Sequence, residues 1–377
     1  MTDFRWTEGG QARSARWRSE SRPAPPARGI AAGDALTADV ACRLAGGDQG
    51  ILWRGDFQNA RKLLQAMARR LDRRPAGGPP RPPAEAFHRH RDAQALRART
   101  LGLLLLPFDA DHRVPLRRAP DVRQACVEAF GAAAEPYVAS LRELQGLIGA
   151  HEWRKKGVEV PALGARIHPH YGVFAPIRGE VAALVARAPL PSRESAFDVG
   201  TGTGVLAAVL GRRGVNRIVA TDLDPRAVAC ARENFERLGL GPRVEARLAD
   251  LFPEGRAPLV VCNPPWIPAP PTSPLEHAVY DPESRMLRSF LAGLAEHLEP
   301  AGEGWLILSD LAEHLGLRSR AELLAAIAAG GLKVAGRIDA RPSHPRARDA
   351  ADPFHAARAA ELTSLWRLTS RDAIATS

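Results

Sequence analysis

Apolar positions follow two different patterns on either side of residue 160 or so. From about residue 170, short runs of five to eight mostly apolar residues alternate with longer stretches at helical spacing. The runs at 195–199, 217–221, 244–248, 258–262, 304–309, 332–338 and 361–368 predict strands. Between them, 175–188, 205–213, 225–238, 283–298 and 311–329 predict helices, with Pro225 at the first turn of its helix. Such alternation predicts an α/β fold, a mostly parallel sheet with helices on both faces. Sheets of this kind bind ligands outside the carboxyl ends of their strands.

The first 160 residues read differently. Residues 58–74 place Leu63, Leu64, Met67 and Leu71 on one stripe, flanked by Arg61, Lys62, Arg69, Arg70, Arg73 and Arg74, which predicts an amphipathic basic helix. Residues 84–99, 120–131 and 135–149 also predict helices, and 101–107 a strand. Residues 1–33 hold Arg, Pro, Ser and Gly without an apolar period, and predict a disordered tail. A smaller, mainly helical basic domain is therefore expected over 34–160. The boundary falls where Lys155 and Lys156 approach Pro161, and 161–377 forms the α/β domain.

Charge sharpens this division. The 377 residues carry 52 basic and 42 acidic side chains, a net +10. Residues 1–160 hold 27 basic and 18 acidic residues, a net +9, which leaves +1 for the rest. That asymmetry points to an acidic partner, nucleic acid before an anionic membrane, against the simpler reading of a solvated arginine-rich surface. The four cysteines include no C-x-x-C pair, which fits a reducing compartment rather than a disulfide framework or a cysteine zinc site. No secretory apolar segment opens the chain, and no apolar run approaches a membrane span. A soluble, cytoplasmic protein without membrane partners is expected.

Candidate chemistry sits at the predicted strand ends. Asp198-Val199-Gly200-Thr201-Gly202-Thr203-Gly204 joins a strand to a helix. Glycines there let backbone approach a ligand, and the helix start adds N–H donors. Asp222, at the next strand end, is placed for a pair of ribose hydroxyls, and Asp250, at the one after, for an adenine amino group. Leu223 and Phe252 are candidates to pack on the ring. A dinucleotide loop would need glycine at 205, where Val205 stands, so the loop suits S-adenosylmethionine better than a pyrophosphate cofactor. Asp198 is then placed for the methionine ammonium, directly or through water.

The run Val260-Val261-Cys262-Asn263-Pro264-Pro265-Trp266 is the most specific feature. Two prolines remove two N–H donors and stiffen the chain. The Asn263 oxygen and nearby carbonyls are left as acceptors for a planar NH₂ group, against which Trp266 offers a π face. Such a nitrogen is a poor nucleophile, so positioning dominates and no strong base is needed.

These residues resemble a class I S-adenosylmethionine-dependent methyltransferase over about 168–368. Asp198–Gly204 is similar to the family's first motif, Asp222 to its second, Asp250 to its third and Asn263–Trp266 to its fourth. The N-P-P-aromatic form is typical of N-methyltransferases, including base methyltransferases of RNA and DNA and the HemK/PrmC release-factor glutamine methyltransferases. The resemblance implies a Rossmann-like seven-stranded sheet with an antiparallel last strand, and S-adenosyl-L-methionine as cofactor. The stretch from His168 to Pro176 resembles the small-domain methyltransferases, which implies that Tyr171, Phe174 and Pro176 line the entrance.

Methyl transfer to a nucleic-acid base, RNA favoured, is the leading expectation, with Tyr171, Phe174 and Trp266 on the substrate and Asn263 shared with the cofactor. A protein-glutamine methyltransferase is the alternative. A non-catalytic module on the same fold is a third. No metal site is expected from His168 and His170.

Overall fold

A computed structural model describes residues 2–20, 23–73, 81–342 and 349–371. The chain divides into two compact units, Met1–Glu152 and Trp153–Ser377.

The first unit opens with strands β1 (Asp3–Glu8), β2 (Gln11–Trp17) and β3 (Arg28–Ala32). There follow α1 (Ala38–Gly46), β4 (Gln49–Trp53), α2 (Phe57–Asp72), α3 (Pro83–Gly102), β5 (Leu104–Phe108), α4 (Arg123–Phe130), β6 (Tyr137–Ser140) and α5 (Leu141–Lys156). Its six strands close into a barrel in the order β1-β2-β6-β5-β4-β3. Phe4, Trp6, Leu52, Leu105 and Val138 form one core cluster, with Phe4 and Trp6 stacked at 5.7 Å. Gly9 and Gly10 turn β1 into β2 at φ +57° and +78°, the left-handed pair that a tight hairpin needs.

Two sequence expectations are corrected here. Residues 3–32 are not a tail: they supply three barrel strands. Their apolar signal is only the alternation of Phe4 and Trp6, too short to read as a period, and β2 is mostly exposed. Helices do make up most of its regular structure after residue 33, as expected, but they accompany a closed barrel that the expectation lacked. Within the predicted helix 135–149, the buried run Tyr137–Ser140 pairs with β5 as a strand, and the helix begins only at Leu141.

The second unit contains β7 (Val158–Val160), β8 (Ala165–Ile167), α6 (Gly179–Arg187), β9 (Ser195–Val199), α7 (Val205–Arg212), β10 (Arg217–Asp222), α8 (Pro225–Arg237), β11 (Val244–Leu248) and β12 (Ala257–Cys262). It continues through α9 (Arg285–His297), β13 (Leu298–Ser309), α10 (Leu311–His314), α11 (Arg320–Ala329), β14 (Leu332–Ala340), α12 (His355–Ala360) and β15 (Thr363–Ser370). Seven strands form one sheet in the order β11-β10-β9-β12-β13-β15-β14. β9 to β13 run parallel, and β15 is antiparallel to both neighbours. The predicted helix 311–329 is two helices, because Ser319 and Glu322 form a capping box that starts α11 afresh.

The order reverses between β9 and β12, which opens a crevice at their carboxyl ends. Both chemical motifs end there. Buried Val199, Val260, Val261, Leu306 and Ile307 make the strands beneath a rigid floor. Among the described residues, no helix is long and apolar enough to cross a membrane.

The barrel reading makes a direct prediction. Phe4→Ala removes a fully buried ring and should destabilise the first unit by about 3–5 kcal/mol. Urea denaturation of the full chain would read this as an earlier transition. An unchanged curve would mean that the amino-terminal strands are not part of the folded unit.

Candidate active site

Asp198 organises the glycine loop. Its side chain is buried, and Oδ2 accepts from the Thr201 hydroxyl at 2.7 Å and from the Ala207 N–H at 3.0 Å. One carboxylate oxygen thus ties the loop to the first turn of α7. Burial pushes its pKa up to about 6, against the pull of those two hydrogen bonds, and the nearby Asp222 charge adds to the rise. Its Oδ1 is buried with no partner.

The loop needs glycine for two separate reasons. Gly200, Gly202 and Gly204 have φ of +73°, +55° and +84°. A Cβ on Gly204 would lie 2.6 Å from the Phe235 ring, and one on Gly200 would lie 2.6 Å from Met286 Cε. The Gly202 N–H donates to Asp222 Oδ2 at 2.9 Å, and the Asp224 N–H donates to Oδ1 at 3.0 Å. Burial raises the Asp222 pKa, and these backbone donors offset part of that rise.

A second brace comes from Asn234 on α8. Its Nδ2 donates to the Thr203 carbonyl at 3.0 Å, and its Oδ1 accepts from the His168 N–H at 2.8 Å. His168 Nδ1 pairs with the Arg154 carbonyl, and His170 Nε2 with Glu233, which also holds Arg154 and Arg237. The two histidines therefore anchor the segment leading to Phe174 through ordinary hydrogen bonds. No cluster of three metal-ligating side chains occurs among the described residues.

The crevice is a cavity of about 520 Å³. Its walls include Val173, Phe174 and Pro176, and Gly200, Thr201, Gly202 and Thr203 of the glycine loop. Asp222, Leu223, Asp250 and Leu251 line it as well, as do Asn263, Pro264, Pro265 and Trp266. Residues far apart in sequence thus meet in one space.

Four candidates do not line it. Asp198 and Gly204 lie behind the loop and shape it from within. Tyr171 is not in the wall, which its neighbours Gly172, Val173 and Phe174 form instead. Phe252 stacks on His297 at 4.3 Å and on Phe290 at 5.5 Å. Leu251, at φ +66°, turns the chain and takes the wall position in its place.

Trp266 also differs from expectation. It is only 9% exposed, and the Arg178 guanidinium lies 4.4 Å over its ring, so a cation already covers one π face. Its indole N–H donates to Asn263 Oδ1 at 2.9 Å. One lone pair of the oxygen expected to receive a substrate nitrogen is therefore taken by the motif's own aromatic residue. Arg178, Arg285 and Met286 also line the cavity. They stand outside every motif, so nothing in the sequence pattern marks them.

An elongated cationic nucleoside fits this donor set. Asp222 and Asp250 turn acidic side chains to the cavity, with the buried Asp198 carboxyl behind its glycine loop. Gly202, which lines the same cavity, has open space where a Cβ would stand. Strand order, glycine loop and acidic strand ends together define a Rossmann-like unit of the class I methyltransferase type.

Comparison with known proteins agrees. Residues 185–275 match the family model described as ribosomal protein L11 methyltransferase (PrmA). A ribosomal protein L11 methyltransferase of Rhodopseudomonas palustris is 31% identical over 221 residues, 54% of this chain and 68% of that protein. A release factor glutamine methyltransferase of Cereibacter sphaeroides is 38% identical over 170 residues, 43% of this chain and 57% of that protein. The crystal structure of a ribosomal protein L11 methylase from Lactobacillus delbrueckii subsp. bulgaricus aligns with a TM-score of 0.36 at 17% identity, covering 51% of this chain and 77% of that one. The chain spans 57% of that release factor glutamine methyltransferase, and 22% and 40% of the ribosomal protein L11 methyltransferases of Pelotomaculum thermopropionicum and Sorangium cellulosum, which it also matches. The chain belongs to the class I S-adenosylmethionine-dependent methyltransferases, in the family that includes the ribosomal protein L11 methyltransferases.

Asp198 gives a prediction for the ligand-free protein. A carboxyl whose folded pKa is raised from 3.8 to about 6 holds its proton more tightly when folded. Its contribution is fully favourable below the unfolded value and is lost as pH rises from about 4 to about 6, by roughly 3 kcal/mol. Asp198→Asn should remove that part of the pH dependence in denaturation curves. Parallel pH profiles for the two proteins would show that Asp198 titrates normally.

Proposed function

We propose that the chain transfers a methyl group from S-adenosylmethionine to a side-chain amide nitrogen of a protein in the translation machinery. The observation that carries this reading is the placement of Asn263, Pro264 and Pro265 in the same cavity as the glycine loop and Asp222. The curated relatives add support, since the release factor glutamine methyltransferase and the L11 methyltransferases are named for protein substrates.

The nucleic-acid reading drawn from charge has weaker support. Divided between Glu152 and Trp153, the first unit holds 24 basic and 17 acidic residues, net +7, and the second 28 and 25, net +3. The excess is less one-sided than the count to residue 160 implies. Several of the first unit's arginines are also paired within it, as Arg54 with Glu8, Arg70 with Asp39, Arg97 with Asp72 and Arg99 with Asp48.

S-adenosylmethionine supplies an electrophilic sulfonium methyl. The chain's own residues hold and orient. Asp222 would accept from sugar hydroxyls, its two oxygens already steadied by backbone N–H donors. Asp250 would accept from the adenine amino group, and Leu223 and Leu251 would flank the ring. Asn263 Oδ1 keeps a second lone pair for a substrate N–H, since Trp266 takes only one. Pro264 and Pro265 have no N–H to compete for the acceptors at the mouth. An amide nitrogen carries a delocalised lone pair, so fixing its direction lowers the barrier more than removing a proton would, and the proton departs after transfer.

The full chain would be given labelled cofactor with release factor, ribosomal protein L11 and ribosomal RNA in separate reactions. Label is expected on a glutamine or asparagine side chain, identified by peptide mass spectrometry. Label confined to RNA would contradict the proposal. Asn263→Ala should lower kcat by about 100-fold or more while changing cofactor affinity by less than about threefold. Asp222→Ala should weaken cofactor binding by about tenfold or more, read by calorimetry.

A further inference from the structure

One feature of the site that no motif covers is Arg178. It stands at the start of α6, lines the cavity and lies over Trp266. Its Nε donates to Glu180 Oε1 at 2.7 Å. Its Nη2 donates to Glu361 Oε1 at 2.8 Å and to the Thr363 hydroxyl at 3.3 Å. Both carboxylates are nearly inaccessible, with side chains 5% and 3% exposed. Glu361 also accepts from the Ser309 hydroxyl at the end of β13. The guanidinium is therefore clamped in its own plane by groups from α6 and from the entry to β15.

Such a clamp is more than an ion pair needs. Two buried carboxylates fix the plane of a group whose central carbon lies 4.4 Å over the indole. A cation over an aromatic face draws on its π density and holds the ring's tilt. The ring's edge is the donor to Asn263 Oδ1. A chain of contacts thus runs from Glu180 and Glu361 through Arg178 and Trp266 to the Asn263 amide. At its far end, the amide has one defined orientation. Its oxygen is directed by the indole N–H, and it cannot exchange with its nitrogen without losing that bond.

We propose that Arg178 is a positioning residue for methyl transfer, which sets the orientation of Asn263 through the ring of Trp266. It touches neither reacting atom. This rests on the reading that Asn263 receives the substrate nitrogen. A lysine at 178 keeps charge beside Glu180 and Glu361 but has no planar face and no fork. An arginine–indole contact that merely stabilised the fold would change denaturation and leave turnover alone.

The test is a double-mutant cycle on the full chain, with kcat and both KM values measured for Arg178→Lys, Trp266→Phe and the pair, and Asn263→Ala beside them. Arg178→Lys should lower kcat by about tenfold, with KM for the cofactor within about twofold and a denaturation midpoint close to wild type. Trp266→Phe removes the indole N–H and should lower kcat at least as much. In that background, Arg178→Lys should cost less than about a further twofold, because the path it acts through is already broken. If Arg178→Lys lost its full factor in both backgrounds, or kept wild-type kcat, the proposal would be overturned. If Arg178→Lys fails to fold, the comparison of Trp266→Phe with Asn263→Ala still decides. Wild-type kcat in Trp266→Phe would show that the indole bond orients nothing of consequence. Wild-type kcat in Asn263→Ala would instead overturn the functional reading itself, a result distinct from failure of the Arg178 link alone.

Discussion

One buried carboxylate governs the site. Asp198 accepts from Thr201 and from Ala207, and so joins the glycine loop to the first turn of the helix after it. These bonds add to the backbone bonds from Gly200 and Thr201 to the Thr221 carbonyl and from Gly204 to Thr201, which hold the three alternate glycines at positive φ. The loop then presents the Gly202 N–H to Asp222 and, through Thr203, a carbonyl to Asn234. Asn234 in turn fixes the His168 segment that carries Phe174 into the cavity wall. Removing charge and hydrogen bonds at Asp198 would thus loosen three walls at once. The cost of keeping this carboxylate buried is visible in its raised pKa.

The wall that follows β12 is built on a different principle. Asn263, Pro264 and Pro265 leave β12 at the switch point of the sheet, where the chain cannot pair onward. Prolines prevent the segment from satisfying its acceptors with its own N–H groups. Trp266 then ties down the asparagine, and Arg178 ties down the tryptophan. One wall is therefore held by a buried anion and the other by a clamped cation. The chemistry assigned to this cavity needs rigid placement rather than an acid or base, and both devices supply rigidity.

The doubly wound sheet was readable from sequence because each buried parallel strand is a run of apolar residues ended by a charged or glycine-rich turn, as at 195–199 with Gly200. Asp222 and Asp250 were readable because strand ends are set by the same runs. The barrel was not. β1 presents just Phe4 and Trp6 inward, and β6 is a four-residue run in front of a helix, so neither carries enough periods to separate strand from coil or helix. Phe252 was misplaced because a single left-handed residue, Leu251, reverses the side on which the next side chain falls. Arg178 was invisible because its partners, Glu361 and Trp266, lie 183 and 88 positions away. Summed charge is weak evidence about the substrate, since a sum over residues does not register which arginines are already paired.

The central claim is that one cavity brings a cationic nucleoside and an amide nitrogen together, with Asn263 at their meeting point. A crystal structure of the full chain with S-adenosylhomocysteine and a glutamine-containing substrate peptide tests it most directly. The account predicts the nucleoside between the glycine loop and Asp222, and the glutamine side-chain nitrogen within hydrogen-bond distance of Asn263 Oδ1, with the Trp266 bond intact. A peptide amide held elsewhere, with Asn263 facing only its own chain, would contradict it.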